Sequence, residues 1–215
     1  MREPGNLSWV RVDFRAERCG HNPLHESAKP YSISMGFDRS RNIVLVSGAP
    51  GAGKSTLAHP LAHQLGFPLI SKDCIKESLF DSLKGTPNDL SFSRRIGGAA
   101  MELLWTLAEQ CPNVVLEANF RPHSEYERAR IASLQGPITE IYCRCPLEEA
   151  ARRFQERAQL PEHHPAHPGQ QVSASFFAEF DRPVGIGRVV EVDTTQPVDV
   201  ELLVDQLNKM WKSSS

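Results

Sequence analysis

What this sequence lacks narrows it before any motif is read. It has no strong charge of either sign: 24 Lys and Arg stand against 26 Asp and Glu, a formal net charge of −2. No global field therefore draws the chain toward nucleic acid or an anionic membrane surface, although a local basic groove stays open. No apolar stretch near the start is long enough for a signal sequence or a membrane span, so a soluble, reducing, cytoplasmic setting is the expectation. The five cysteines, Cys19, Cys74, Cys111, Cys143 and Cys145, are scattered, and the single C-x-C lacks a second pair at zinc-site spacing. Small buried or half-buried thiols are expected there instead. Internal repeats are absent, and the one tract of biased composition, residues 160–171, holds too many prolines to continue a helix.

What remains is an ordinary globular composition, 40% hydrophobic and 23% charged over 215 residues, enough for one well-packed domain with an appendage. Residues 1–40 read differently from the rest. Val10, Val12 and Phe14 alternate with polar residues, as do Tyr31, Ile33, Met35 and Phe37. That period of two suggests an added hairpin, with a loosely held extension as the alternative. From Asn42 onward, five short apolar runs alternate with helix-like stretches at Lys54–Leu65, 74–83, 91–110, 123–134, Leu147–Ala158 and 199–211. Strands buried on both faces read as continuous apolar runs, so the predicted class is α/β, a parallel sheet covered by helices.

Between the first run and the first helix lies Gly48-Ala49-Pro50-Gly51-Ala52-Gly53-Lys54-Ser55, followed by Thr56. This fits G-x-x-x-x-G-K-[ST] completely and in the right setting, a strand before it and a helix after it. Glycines let successive backbone N–H groups curl around a phosphate, and the helix start adds its positive dipole end. Lys54 is then the residue for the outer phosphates, and the Ser55 hydroxyl is a ligand for Mg²⁺. A structural glycine turn without a ligand is the weaker reading.

The base-reading N-K-x-D element of a GTPase is missing: the only Asn-Lys pair, Asn208-Lys209, is followed by Met210 and Trp211 in the last helix. No ABC-type signature is visible either, and little chain follows the fifth strand to serve a motor. The segments "SGAPGAGKSTLAHPLAHQLGFPLISKDCIKESLFD", "VVLEANFRP", "CRCPLEEAARRFQERA" and "VVEVDTT" together resemble the small ATP-dependent kinase-like proteins of the P-loop superfamily. That group includes zeta-toxin-like, chloramphenicol-phosphotransferase-like, and gluconate- and shikimate-kinase-like enzymes. The resemblance covers about residues 42–210. It implies a three-layer α/β/α fold with a sheet of order 2-3-1-4-5, a helical lid at about 147–182, and transfer of phosphate from ATP with Mg²⁺ to a small hydroxylated acceptor.

The same resemblance assigns roles. Asp73, just after the second strand, becomes the group that orients the acceptor hydroxyl and takes its proton. Read without the resemblance, it is better suited to cap the helix that follows it. Glu117 closes the third strand in the manner of a Walker B carboxylate, a holder of Mg²⁺; the alternative is a paired carboxylate at a strand end. Asn119 and Arg121 follow as acceptor contacts, with Arg121 also placed to pair with Glu117. Arg153 and Arg157 share one helix face and map to lid arginines that neutralise the transferring phosphoryl group. Their alternative fate is pairing with acids such as Glu149, while Arg152 points elsewhere. Lys76 and Glu77 are expected in solvent, with a contact of Lys76 to substrate as the lesser alternative. His163, His164 and His167 read as part of a lid loop in preference to a metal site, and Asp193–Thr195 is expected to border the adenine pocket. Two other functions stay open: a regulatory module that binds or hydrolyses ATP without an acceptor, and a nucleic-acid end kinase, disfavoured by the charge. Monomer and dimer are both compatible with the sequence.

Overall fold

A computed structural model of the chain describes residues 41–167 and 174–213. The reading of residues 1–40 as an added hairpin lies outside the described residues, as does part of the tract 160–171. Five strands, β1 (Ile43–Ser47), β2 (Leu69–Ser71), β3 (Val114–Glu117), β4 (Ile138–Arg144) and β5 (Arg188–Asp193), form a wholly parallel sheet in the order β2-β3-β1-β4-β5. This is the predicted order. The central strand β1, IVLVS, is buried at every position, as a strand covered on both faces must be.

Alternate side chains of each strand enter opposite layers. Val44 and Val46 join Val115, Ile141 and Cys143 against α1 (Lys54–Leu65) and α7 (Val200–Lys212). Ile43 and Leu45 join Val114 and Leu116 against Leu104, Trp105 and Ala108 of α3 (Leu90–Gln110) and Ile131 of α4 (Glu125–Ser133). The result is three layers with the sheet in the middle. β5, at one edge, is half exposed and alternates where the inner strands do not.

Two helices sit differently from the expectation. α2 (Lys72–Ser82) starts two residues early, because its cap is Ser71, whose Oγ accepts from the Cys74 amide. Asp73 is therefore not the cap; it lies in the first turn. α4 is shorter than predicted, beginning behind Ser124, whose Oγ accepts from the Glu127 amide at 3.2 Å. α5 (Leu147–Ala158) keeps its predicted bounds, and a short α6 (Ala174–Ala178) follows it. Pro60 stands within α1 without ending it.

Candidate nucleotide and acceptor site

The carboxyl ends of β1, β2 and β3 converge on one crevice, where open α/β sheets hold their ligands. The loop from β1 to α1 passes through left-handed backbone at Gly51 (φ 81°) and Gly53 (φ 80°). A Cβ at Gly51 would stand 2.1 Å from the carbonyl oxygen of Ala150 in α5. Glycine is thus required twice over at this position, by conformation and by the helix packed on it.

Within the loop, Ala49 and Ala52 are buried supports. The Ala52 amide donates to Ala49 O at 3.0 Å, and Thr194 Oγ1 donates to Ala52 O at 2.7 Å, tying the loop to the end of β5. Lys54 Nζ donates to Ala49 O at 2.8 Å, and burial pushes its pKa down from the usual lysine range against the pull of Glu117. Behind the loop, a Cβ at Gly48 (φ 135°) would meet Cys143 O at 2.8 Å. Cys143 is buried, which pushes its thiol up to about 12, and Cys145 is half-buried, as expected of both.

Pro50, Gly51, Gly53, Lys54, Ser55 and Thr56 line a cavity of about 420 Å³. Asp73 of α2, Glu117 and Asn119 at the end of β3, and Arg153 and Arg157 of α5 line the same cavity. Residues distant in sequence are thus brought to one place. Ser55 Oγ donates to Glu117 Oε1 at 3.1 Å, and Ser71 Oγ donates to Glu117 Oε2 at 2.5 Å. Burial by itself would raise the Asp73 carboxyl. The charges of Lys72 and His167, the bond from Lys72 at 2.9 Å and the charge of Lys54 outweigh it and hold the group at about 2.

The two arginines expected on the lid, Arg153 and Arg157, differ. Arg153 is engaged: Nε donates to Glu149 Oε1 at 2.6 Å and Nη1 to Thr194 O at 3.0 Å, clamping α5 to the end of β5. Arg157 has no carboxylate partner among the described residues, and its guanidinium lies 5.9 Å from the Phe154 ring centroid. Arg152 is on the surface, between Glu149 and Glu156.

Three expectations are corrected here. Arg121 does not line the cavity or pair with Glu117: its guanidinium meets Glu127 at 3.3 Å and Glu179 at 3.1 Å. Lys76 is not in solvent. It is 7% exposed, lines the cavity, and donates to Ser93 Oγ at 2.8 Å, and burial brings its pKa down to about 8. Glu77 instead pairs with His167, Oε1 to Nε2 at 3.0 Å. Lys72 and Phe176 are lining residues that sequence reasoning passed over.

A second cavity of about 350 Å³ adjoins the first through Ser55, Asp73, Arg157 and His167, and is walled by His59, His163 and His164. His164 Nε2 stands 3.3 Å from Asp81 Oδ1, so two histidines hold this loop against α2. Among the described residues, no group of three or more His, Cys, Asp or Glu side chains is arranged to hold a metal ion. A third cavity of about 280 Å³ is bounded by Thr56, Pro60, Arg153, Thr194 and Pro197, beside the start of α1 and the end of β5.

Comparison with known proteins agrees with this fold. The cytidylate kinase of Ignicoccus hospitalis is 29% identical over 124 residues, which are 54% of this chain and 64% of that protein. The chain therefore spans less than two thirds of that relative. A 63-residue segment is 35% identical to chromosome transmission fidelity protein 18 of Emericella nidulans, covering 29% of this chain and 6% of the relative. Among solved structures, a candidate kinase from Chloroflexus aurantiacus superposes with a TM-score of 0.69 at 26% identity, over 79% of this chain and 98% of that one. The profile of the AAA domain matches residues 43–183, which hold the phosphate loop, Asp73, Glu117, Arg153 and Arg157. With most of its length so matched, the chain belongs to the AAA domain family and has the fold of the P-loop kinases.

Proposed function

We propose that this protein is an ATP- and Mg²⁺-dependent phosphotransferase that moves the γ-phosphate of ATP to a hydroxyl of a small molecule. The observation that carries the reading is the shared cavity: a carboxylate, Asp73, stands beside the phosphate loop together with Lys54, Ser55 and Arg157. The backbone N–H groups of Gly51 and of residues 53–56 bind the phosphates, Lys54 neutralises the outer ones, and the third cavity takes the adenine. Asp73 is ionised throughout the physiological range, so it accepts a hydrogen bond from the acceptor hydroxyl and receives its proton as the bond to phosphorus forms. Arg157, and Arg153 when its present partners release it, meet the charge spread over the transferring oxygens. α5 lies directly on the loop at Gly51, which excludes water and so favours transfer over hydrolysis.

The residues present fit Mg²⁺. Ser55 Oγ and Glu117 Oε1, 3.1 Å apart at the cavity wall, are hard oxygen donors, with Asn119 beside them. Held by Ser55 and Glu117, the ion would neutralise charge on the phosphates. No helix among the described residues is long and apolar enough to cross a membrane, and we place the reaction in the cytoplasm.

A second reading makes the acceptor itself a phosphate, as the name of the cytidylate kinase relative states of that protein. One screen separates them: ATP consumption with mass detection of products across sugars, hydroxy acids, hydroxylated antibiotics and CMP. Lys54→Ala is expected to abolish product formation, and Asp73→Asn to spare ATP binding while removing turnover. Normal turnover in the asparagine variant would sink the role given to Asp73. Nucleotide-dependent hydrolysis with no product across the whole screen would favour a regulatory ATP-binding module instead.

A further inference from the structure

Lys76 is a buried cation with no ion-pair partner among the described residues; the charges of Asp73 and Glu77 reach it only at longer range. Its stem lies across α3 where a Cβ at Gly97 would be 3.8 Å from Lys76 Cε. Its ammonium donates to Ser93 Oγ at 2.8 Å, and Ser93 Oγ in turn donates to Ala166 O at 2.9 Å. The hydroxyl proton is thus committed, and the oxygen lone pair aims the lysine. Among the described residues, no carboxylate lies within ion-pair distance of Lys76. Burying an ammonium without a partner is costly, and an ammonium has three donors to satisfy.

Of the other cations lining the cavity, Arg157 also lacks a carboxylate partner, but the reading above gives it to the transferring phosphoryl group. Lys72 pairs with Asp73 at 2.9 Å, Lys54 is bonded to the phosphate loop, and Arg121 is held by Glu127 and Glu179. Of Lys72, Asp73 and Lys76, which line this part of the cavity, the first two pair with each other and Lys76 is left without an ion-pair partner among the described residues. Asp73 and Lys76 are three residues apart on one helix, so their side chains start about 5–6 Å from each other on the same face. A small molecule can place a hydroxyl on the first and an anion on the second.

We infer that the acceptor is an anionic hydroxylated molecule, bearing a carboxylate or a phosphate monoester, and that Lys76 is the residue that selects it. The inference rests on the phosphotransfer reading above for the identity of the hydroxyl, but its anion-binding half is measurable without turnover. Ala166 is fully buried against Phe80 and Ile96, so the bond from Ser93 also fixes the His163–His167 loop behind the anion subsite.

The test is calorimetric titration of the full chain, loaded with Mg·ADP, using two matched series: glycerol, glycerate and glycerol phosphate, then glucose, gluconate and glucose phosphate. In at least one series an anionic member is expected to bind roughly 10- to 100-fold more tightly than the neutral one, the loss a charged hydrogen bond brings when removed. Whether it is the acid or the phosphate names the anion. Lys76→Met should bring that anionic member to the affinity of the neutral one, and Lys76→Arg should keep part of the preference. Nucleotide titration of each variant reports that it is folded. Equal affinity for neutral and anionic members, unchanged anion affinity in Lys76→Met, or no binding by any anionic member each overturns the inference. The same mixtures with γ-labelled ATP keep the two readings apart: anion binding without labelled product defeats transfer alone, whereas labelled neutral product made equally by wild type and Lys76→Met defeats anion selection alone.

Discussion

The Ser71 hydroxyl donates to Glu117 Oε2 at 2.5 Å, joining the end of β2 to the end of β3. The other oxygen of Glu117 receives Ser55 of the phosphate loop, so one buried carboxylate holds together three chain segments that meet at the cavity. Glu117→Gln replaces one of these acceptors by a donor facing a hydroxyl. We expect Mg²⁺-dependent nucleotide affinity to fall about tenfold or more, measured by titration with Mg·ADP against ADP in EDTA. Ser71→Ala also removes the cap of α2, and thermal unfolding should show a loss of about 1 kcal/mol or somewhat more.

Asp73 is held near 2, below its unfolded value of about 3.9, so its ionised form adds stability that is fully present above pH ~4 and is lost as pH falls through about 2. Between about pH 5 and pH 8 it does not titrate in the free protein. The ratio of kcat/KM between wild type and Asp73→Asn should therefore be flat across that range, at roughly 10²–10⁴. A ratio that climbs with pH around neutrality would show that Asp73 itself titrates there, against the low value its neighbours impose.

Lys76 carries a burial cost with the opposite pH dependence. Its folded pKa, about 8, lies below the unfolded value of 10.5, so the folded state binds fewer protons between those limits. Stability on this account is lowest below about pH 8 and rises toward pH 10.5 as the unfolded lysine also loses its proton. Lys76→Met should be more stable than wild type at neutral pH, by up to roughly 3 kcal/mol, and the gap should close on the alkaline side. Urea midpoints at neutral pH and at pH ~10 check this. A residue kept only for packing would not gain stability on losing its charge.

Glu140 is a buried carboxylate on β4 that sequence reading passed over. It accepts Ser47 Oγ at 2.5 Å and the amides of Val184 and Gly185 at 2.9 Å each, fixing the segment that leads from α6 to β5. Glu140→Gln turns an acceptor into a donor against one of these donors. The expected loss is on the order of 2–3 kcal/mol, read from denaturant unfolding, with the phosphate loop still able to bind nucleotide at low temperature.

The strands, the phosphate loop and the boundaries of α1 and α5 were legible because their signals are local. An apolar run of β-branched residues, a glycine loop with Lys54 and Ser55 at fixed offsets, and a 3.6-residue period all lie within one short window. The start of α2 was misplaced by two residues, since Ser71 and Asp73 are both good caps and only the backbone at Ser71 decides between them. Arg121 was misplaced for a different reason. Its partners Glu127 and Glu179 are 6 and 58 residues away, and nothing in the string favours them over Glu117.

By itself, the sequence determined the phosphate-loop motif, because its glycines, Lys54 and Ser55 stand at fixed offsets within one contiguous run. Only the tertiary structure decided which other charges face it. Ionic roles depend on burial and on partners brought together across the sheet. Lys76 looks like any surface lysine of a helix until Gly97, Ser93 and Ala166 close around it, 17 residues or more away in the chain.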